Sequence, residues 1–469
     1  MIRRIRRLAL LIPCVAVAAC GGSADDEQRV GLDPASGGVQ PAGIGTVGPA
    51  PTGLCGIGPV NPGPGDVDAS FGCSGYAKYI IDDVDVTVRA LAVQPDDKIV
   101  AVGETYDPAM NHHDVWAARF TSAGALDTTF ATGGVYTKSF VPFGGPTSAE
   151  TVVIQSTGAI VMAGGYFSED TGAVRTGFML RLLANGTLDT TFATAGILTT
   201  TSGFTYGRSL KIQANGNLVL AADKCTAPST NCQAVVARFS ANGVAYNGFG
   251  MLGYLPTHYS GLAPSLGRAA AVSGDNVVIA GRTSAAGTET NVALGRFGPN
   301  TIDNSFGTNG YVQHDTWDTE TANGITNHGT GFVTVVGGLH ASQYYFTFVR
   351  VLSTGALDNA FGFLGRYNVS FDGYGAEGAG VVYTNGKIVG AGWAKNSANK
   401  SRMAVTRITG SGQIDNTFST NGYTMLSAGG DEAAATAVAV QSTGRIIAGG
   451  WARPAGGKKR AVLVRIRHD

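Results

Sequence analysis

Two tryptophans, Trp393 and Trp451, stand 58 positions apart (451 − 393), and each follows a glycine. Acidic groups gather at Asp82, Asp83 and Asp85, at Asp315, Asp318 and Glu320, at Asp372 and Glu377, and at Asp431 and Glu432. Tyr106, His112 and His113, then Tyr166 and Arg175, then His340, then Lys395, and then Arg453, Lys458 and Lys459 add aromatic, imidazole and basic groups. Aromatic faces beside carboxylates are a chemistry for holding sugar rings: the ring face packs and the hydroxyls take hydrogen bonds. The competing reading of each tryptophan is packing against a neighbouring sheet.

His112, His113 and Asp114 invite a metal ion, but adjacent side chains on a strand point to opposite faces and no third ligand follows at a fitting interval. The acidic stretches lack the spacing of a calcium loop. No metal and no cofactor is expected. No nucleophile elbow, zinc-protease helix motif, phosphate loop or dinucleotide fingerprint occurs in the chain. A catalytic site would have to be assembled from distant segments.

Six cysteines are present, Cys14, Cys20, Cys55, Cys73, Cys225 and Cys232. In an oxidising compartment Cys225 with Cys232 and Cys55 with Cys73 would form two disulfides; metal ligation is the alternative, without the C-x2-C spacing of zinc sites.

The elements that position these groups come from a repeat. Asp-x-x-Phe occurs at Asp68/Phe71, Asp127/Phe130, Asp189/Phe192, Asp303/Phe306, Asp358/Phe361 and Asp415/Phe418, with a degenerate copy at Tyr246/Phe249. Between successive copies lies a two-strand unit across a tight turn, as in Val152 to Val161, and then a short apolar strand ending in an arginine. The arginines are Arg119, Arg181, Arg238, Arg296, Arg350, Arg407 and Arg465. Arg181 and Asp189, Arg350 and Asp358, and Arg407 and Asp415 are each eight apart, which suits a buried pair bracing a turn. Where Tyr246 replaces the acid, Arg238 needs another acceptor or more solvent. About four strands per unit and seven units match an all-β, seven-bladed β-propeller. The series opens without an arginine strand and closes without an Asp-x-x-Phe, so pairing the two ends would complete one unit and remove open edges. A β-helix is the alternative. With 69 glycines, 44 % hydrophobic and only 14 % charged residues, the composition suits many short strands, and zero formal net charge argues against nucleic acid.

Leu126-Asp127-Thr128-Thr129-Phe130-Ala131-Thr132-Gly133-Gly134, followed by Val-x-Gln-x-x-Gly-x-Ile-Val, resembles the delta-60 repeat of bacterial surface and secreted proteins. The resemblance covers about Asp66 to Arg467 and implies the repeat fold rather than an activity. Arg3, Arg4, Arg6 and Arg7, the apolar run Leu8 to Ala19, and Val17-Ala18-Ala19-Cys20 resemble a lipoprotein signal and its lipobox. That resemblance implies acylation of Cys20, removal of residues 1–19, and a lipid anchor in the cell envelope. Gly21 after Cys20 favours the outer membrane. Residues 20–64, rich in Gly and Pro, read as a tether, and 65–469 as the folded repeats.

The turns at one end of each unit are nearly constant, whereas the connections at the other end vary and are where binding is expected. The candidate binding face comprises Trp393, Trp451, Tyr166, His112, His113, Asp315 and Asp318. The sequence suggests a surface-anchored, non-catalytic scaffold engaging an envelope protein or polysaccharide; the alternative is a polysaccharide-active enzyme with carboxylates on that face.

Overall fold

Runs such as Ala437-Val438-Ala439-Val440 carry apolar side chains on both faces, so a strand built from them needs a covered surface on each side. The computed structural model describes residues 63–468 apart from 82, 141–144, 169–173, 227–230, 252, 258–264, 285–289, 315–318 and 341–342. Its regular structure is all β.

β1 (Tyr76–Tyr79) precedes a four-stranded antiparallel sheet of β2 (Asp85–Val93), β3 (Ile99–Asp107), β4 (His112–Phe120) and β5 (Val135–Lys138). The arrangement returns in β6 (Thr147–Ile154), β7 (Ile160–Ser168), β8 (Val174–Leu182) and β9 (Ile197–Thr200). It returns again in β10 (Tyr206–Ile212), β11 (Leu218–Thr226), β12 (Asn231–Phe239) and β13 (Tyr254–Thr257). Next come β14 (Ser265–Ser273), β15 (Asn276–Ser284), β16 (Thr290–Phe297) and β17 (Tyr311–His314), then β18 (Thr319–Asn327), β19 (Gly331–His340), β20 (Gln343–Leu352) and β21 (Arg366–Val369). One parallel bridge from Thr290 to Thr319 joins these two groups into an eight-stranded sheet. β22 (Ala376–Thr384), β23 (Lys387–Lys395), β24 (Ser401–Thr409) and β25 (Tyr423–Leu426) form another sheet. The last three strands are β26 (Glu432–Val440), β27 (Ile446–Arg453) and β28 (Arg460–Ile466), and β1 joins them as the fourth, Tyr76 facing Val464.

The first strands pack in series, β2 on β6, β6 on β10, β10 on β14, β14 on β18, β18 on β22 and β22 on β26, and β26 packs on β2. Each apolar core is shared by neighbouring sheets; Ile447 and Leu463, for example, bury against Val86, Ala101 and Trp116. Complete burial of a side chain of this size is worth about 2 kcal/mol, which is why both strand faces are apolar.

Six of the seven units carry the same lock of three side chains. Phe130 is fully buried, the Arg119 guanidinium lies 4.9 Å above its ring, and Arg119 Nε donates to Asp127 at 2.8 Å. Asp127 also accepts from Thr129 N and Oγ1, closing an Asx turn. Arg119 reaches onward to the carbonyl of Ala184 in the following unit. Arg181 with Asp189 and Phe192, and Arg407 with Asp415 and Phe418, repeat this arrangement; Arg350 pairs with Asp358 at 2.7 Å over Phe361. Arg238, beside Tyr246, turns to the carbonyls of Asp275, Gly298 and Pro299 and stays 3 % exposed. The turn between the first two strands needs a left-handed residue: Gly158 has φ 83° and Gly444 φ 82°. Asp97 takes that conformation in the first sheet and uses its carboxylate to accept from Ser442 N and Oγ.

Candidate functional site

Every first strand carries one irregularity at the same place. The pairing shifts register between Val88 and Ala90, Ala149 and Thr151, Gly207 and Ser209, and Gly267 and Ala269. It does so again between Ala322 and Gly324, Gly378 and Gly380, and Ala435 and Ala437. The bulged residues are Arg89, Glu150, Arg208, Arg268, Asn323, Ala379 and Thr436. A bulge re-aims a side chain out of the strand's alternation, so each sheet offers one extra group where the first strands meet. In several sheets the bulge brings a first-strand carbonyl so close to the second strand that only a glycine fits opposite it. A Cβ on Gly103 would lie 1.9 Å from Thr87 O, on Gly164 1.9 Å from Ser148 O, and on Gly450 1.9 Å from Ala434 O.

Four of the seven bulged residues are charged, and they form one network. Arg89 donates to Glu104 at 2.5 Å and lies 3.8 Å from Glu150 on the next sheet. Tyr206 Oη donates to Glu150 at 2.9 Å, and Arg208 Nε donates to Asp223 at 2.7 Å. The guanidinium groups of Arg208 and Arg175 stand 4.2 and 5.5 Å from the Tyr206 ring. Asp223 also accepts from Gly267 N, tying in the following sheet. On the other side Asn323 donates to Glu377, and Thr436 Oγ1 donates to Val88 O at 2.6 Å.

The network perturbs its members in opposite directions. Burial pushes the Glu104 carboxyl up, and nearby Glu150 adds to this while Arg89 offsets part of it. Burial acts on Glu150 the same way, but Arg89, Arg208 and Tyr206 outweigh it and hold that carboxyl below its usual range. Burial opposes the charge of Arg89, yet Glu150 and Glu104 together keep its affinity for the proton high. Tyr206 is raised by burial and then by Glu150, so its phenol stays protonated as a donor. Glu104 and Glu150 each keep 18 % of their side-chain surface open, and Arg89 37 %.

The register puts the tryptophans into the same frame. Glu104 pairs with Thr87, Asp223 with Tyr206, Arg282 with Leu266, Trp393 with Glu377 and Trp451 with Ala434, each one step from its bulge. These five residues therefore hold one equivalent position on five second strands. Both tryptophans are partly exposed; Trp451 has the Lys459 ammonium 4.7 Å above its ring, and Trp393 meets Tyr344 edge-on at 5.8 Å.

Of the other sequence candidates, Tyr166 stacks on Phe140 at 4.9 Å. His112 Nε2 lies 2.9 Å from Asp114, whereas His113 stacks on Tyr106 at 4.4 Å, so the two imidazoles part company. Among the described residues no cluster of three or more His, Cys, Asp or Glu could hold a metal ion. Cys225 and Cys232 face each other across β11 and β12 and form a disulfide. Cys73 is disulfide-bonded; Cys20, Cys55, Asp315 and Asp318 lie outside the described residues.

Of the bulge network, the sequence candidates included only Arg175 and Glu377; the bulged residues themselves, with Glu104, Tyr206 and Asp223, were absent. The signal of the bulges was available: a polar residue between small or apolar ones in Val88-Arg89-Ala90, Ala149-Glu150-Thr151, Gly207-Arg208-Ser209 and Gly267-Arg268-Ala269. An isolated charge inside an apolar strand breaks the period-two pattern, and its return in successive units marks a bulge.

Residues 94–130, 155–192 and 384–418 match a family described as a domain of unknown function (DUF5122) beta-propeller. Each matched stretch runs from the turn between the first two strands to the buried phenylalanine, Phe130, Phe192 or Phe418. No curated protein matches the chain. A protein of unknown function from Dyadobacter fermentans is 9 % identical, with 84 % of this chain and 100 % of that one covered and a TM-score of 0.42. The polysaccharide lyase Uly1 is 12 % identical over 81 % and 90 %, with a TM-score of 0.47. The beta-propeller domain of the Trilobed protease from Pyrococcus furiosus is 8 % identical over 81 % and 96 %, at 0.42. With its four-stranded antiparallel sheets and this family match, the chain has a β-propeller fold.

Proposed function

We propose that this chain is an exported lipoprotein, held at the cell envelope by acylated Cys20, whose seven-bladed closed propeller binds an envelope polysaccharide without transforming it. The succession of first strands, with β26 on β2 and β1 in the last sheet, supports closure. The basic start, apolar run and Val17-Ala18-Ala19-Cys20 support the anchor. Binding rests on one observation: a single register position around the meeting of the first strands presents Glu104, Asp223, Arg282, Trp393 and Trp451. Aromatic faces and fixed charges at equivalent places suit a sugar chain lying across several blades. The central carboxylates are already held, Glu104 by Arg89, Glu150 by Tyr206 and Asp223 by Arg208, which favours fixed recognition over proton transfer.

The full-length protein, solubilised in mild detergent, is tested on an array of bacterial and plant polysaccharides. Retention of a glycan class, recovered at its original length and lost in the Trp393→Ala, Trp451→Ala double variant, is the expected result. A folded protein that retains no glycan would sink the proposal.

A second reading, a polysaccharide-active enzyme, is favoured by the opposed shifts of Glu104 and Glu150. Two neighbouring carboxyls driven apart in proton affinity are the arrangement of an acid–base pair. New reducing or unsaturated chain ends after incubation, abolished in Glu104→Gln, would establish it.

A further inference from the structure

Resting on the binding reading above, we infer that the site is specific for acidic polysaccharides, and that Arg175, Arg268 and Arg282, grouped around Tyr206 and Arg208, hold the ligand's carboxylate or sulfate groups.

The charge balance is uneven. Around Arg89, Tyr206 and Arg208, among the described residues, the network contains five guanidinium groups, Arg89, Arg175, Arg208, Arg268 and Arg282, against three carboxylates, Glu104, Glu150 and Asp223, Glu377 lying on the other side with Asn323. The excess is two positive charges (5 − 3). The carboxylates are moreover committed to particular partners. Glu104 and Glu150 share Arg89, and Asp223 takes Arg208. Arg175, Arg268 and Arg282 form no ion pair among the described residues, and the Nε of both Arg175 and Arg268 is buried without a hydrogen-bond partner.

Unpaired guanidinium groups side by side are costly, because each is partly stripped of water and repelled by the others. Arg268 registers this directly: burial lowers its proton affinity, and Arg208 and then Arg282 lower it further, against Asp223. A protein that bears this cost at one spot, while pairing its arginines with carboxylates in the turn locks, has donors arranged for an outside anion. The planar fork of arginine suits carboxylate and sulfate, and both take charge-assisted hydrogen bonds. The partly exposed faces of Trp393 and Trp451, at equivalent register, supply the stacking surface that a sugar ring needs. An acidic glycan brings both features in one repeating unit.

The test uses the full-length protein in detergent and measures Kd by thermophoresis. The ligands are polygalacturonate and alginate for carboxylate, dextran sulfate for sulfate, and dextran and xylan as neutral chains. At least one acidic glycan should bind tenfold or more tightly than the neutral ones and weaken steeply as salt rises from 50 to 500 mM. Arg268→Ala and Arg282→Ala should each weaken that binding about tenfold, the worth of a charge-assisted hydrogen bond. Arg268→Lys, which keeps the charge and the packing stem, should retain part of it, and thermal melting checks the fold of each variant. Preference for polygalacturonate and alginate assigns the site to carboxylate; preference for dextran sulfate assigns it to sulfate. Equal, salt-insensitive binding of neutral and acidic chains, or full acidic affinity in both alanine variants, would overturn this inference and leave the binding reading standing. Binding of no glycan at all would overturn both.

Discussion

Arg465 Nε stands 2.9 Å from the Asp68 carboxylate although the two residues are 397 positions apart (465 − 68). Elsewhere the same lock is made by residues seven or eight apart, as in Arg296 with Asp303 and Arg119 with Asp127. The repeated unit is thus completed in one place by the two ends of the described chain. Arg445 adds a second cation to Asp68 at 2.6 Å, and Arg465 also covers Phe71 at 4.9 Å.

Breaking this junction should destabilise the whole fold. Asp68→Ala leaves two partly buried cations facing each other, which should cost about 2 kcal/mol. Urea denaturation measures the change. An unaltered midpoint would mean that the ends do not hold the molecule together.

Acid should act through the same locks. The Asp127 and Asp415 carboxyls lie at about 2, against an ordinary 3.8. Burial works the other way, but hydrogen bonds from Thr129 and Thr417, with Arg119, Lys387 and Arg407, outweigh it. Because the folded value is depressed, this stability is complete above about pH 4 and drains away as pH falls through about 2, at about 2 kcal/mol for each group. Melting temperature followed from pH 6 to 2 should drop mainly in that window, and an Asp127→Asn, Asp415→Asn variant should show a shallower drop from a lower start. Parallel curves would refute the assignment.

One lock is incomplete and can be repaired. Tyr246 N donates to Arg238 O at 2.9 Å and Phe249 N to Tyr246 O at 3.0 Å, the backbone pattern of the intact copies, while Arg238 Nε is buried without a partner. Tyr246→Asp should give it an acceptor and stabilise the protein by about 1 kcal/mol. A fall in stability would show that the tyrosine has a packing role despite its 42 % exposure.

The disulfide between Cys225 and Cys232 closes a short hairpin and should contribute about 2 kcal/mol through chain entropy. Because β11 and β12 are already paired over nine residue pairs, the Cys225→Ser, Cys232→Ser variant should remain folded, with a modestly lower melting temperature. Loss of folding in this variant would contradict this and give the bridge a larger role.

Much of the fold was legible because its signals are local and recur. Asp-x-x-Phe, the left-handed glycine and the terminal arginine each serve a turn or strand end within one unit, so their spacing survives in the chain. The Arg181–Asp189 and Arg407–Asp415 pairs were readable from a constant interval of eight. Glu150 and Tyr206 carry no such interval, because their contacts join different sheets and their residue types differ from unit to unit; Arg89–Glu104 and Arg208–Asp223, each within one sheet, do share an interval of fifteen.

By itself the sequence determined the strand pattern, the turns and the locks, since these depend on which residues neighbour one another along a few dozen positions. Tertiary structure alone decided that Arg89 and Glu150 would meet, and that Trp451 and Glu104 would hold equivalent places. The physical reason is the bulge. One unpaired residue in each first strand turns its side chain toward the neighbouring sheets, and where it then points depends on sheets that lie about sixty residues away in the chain.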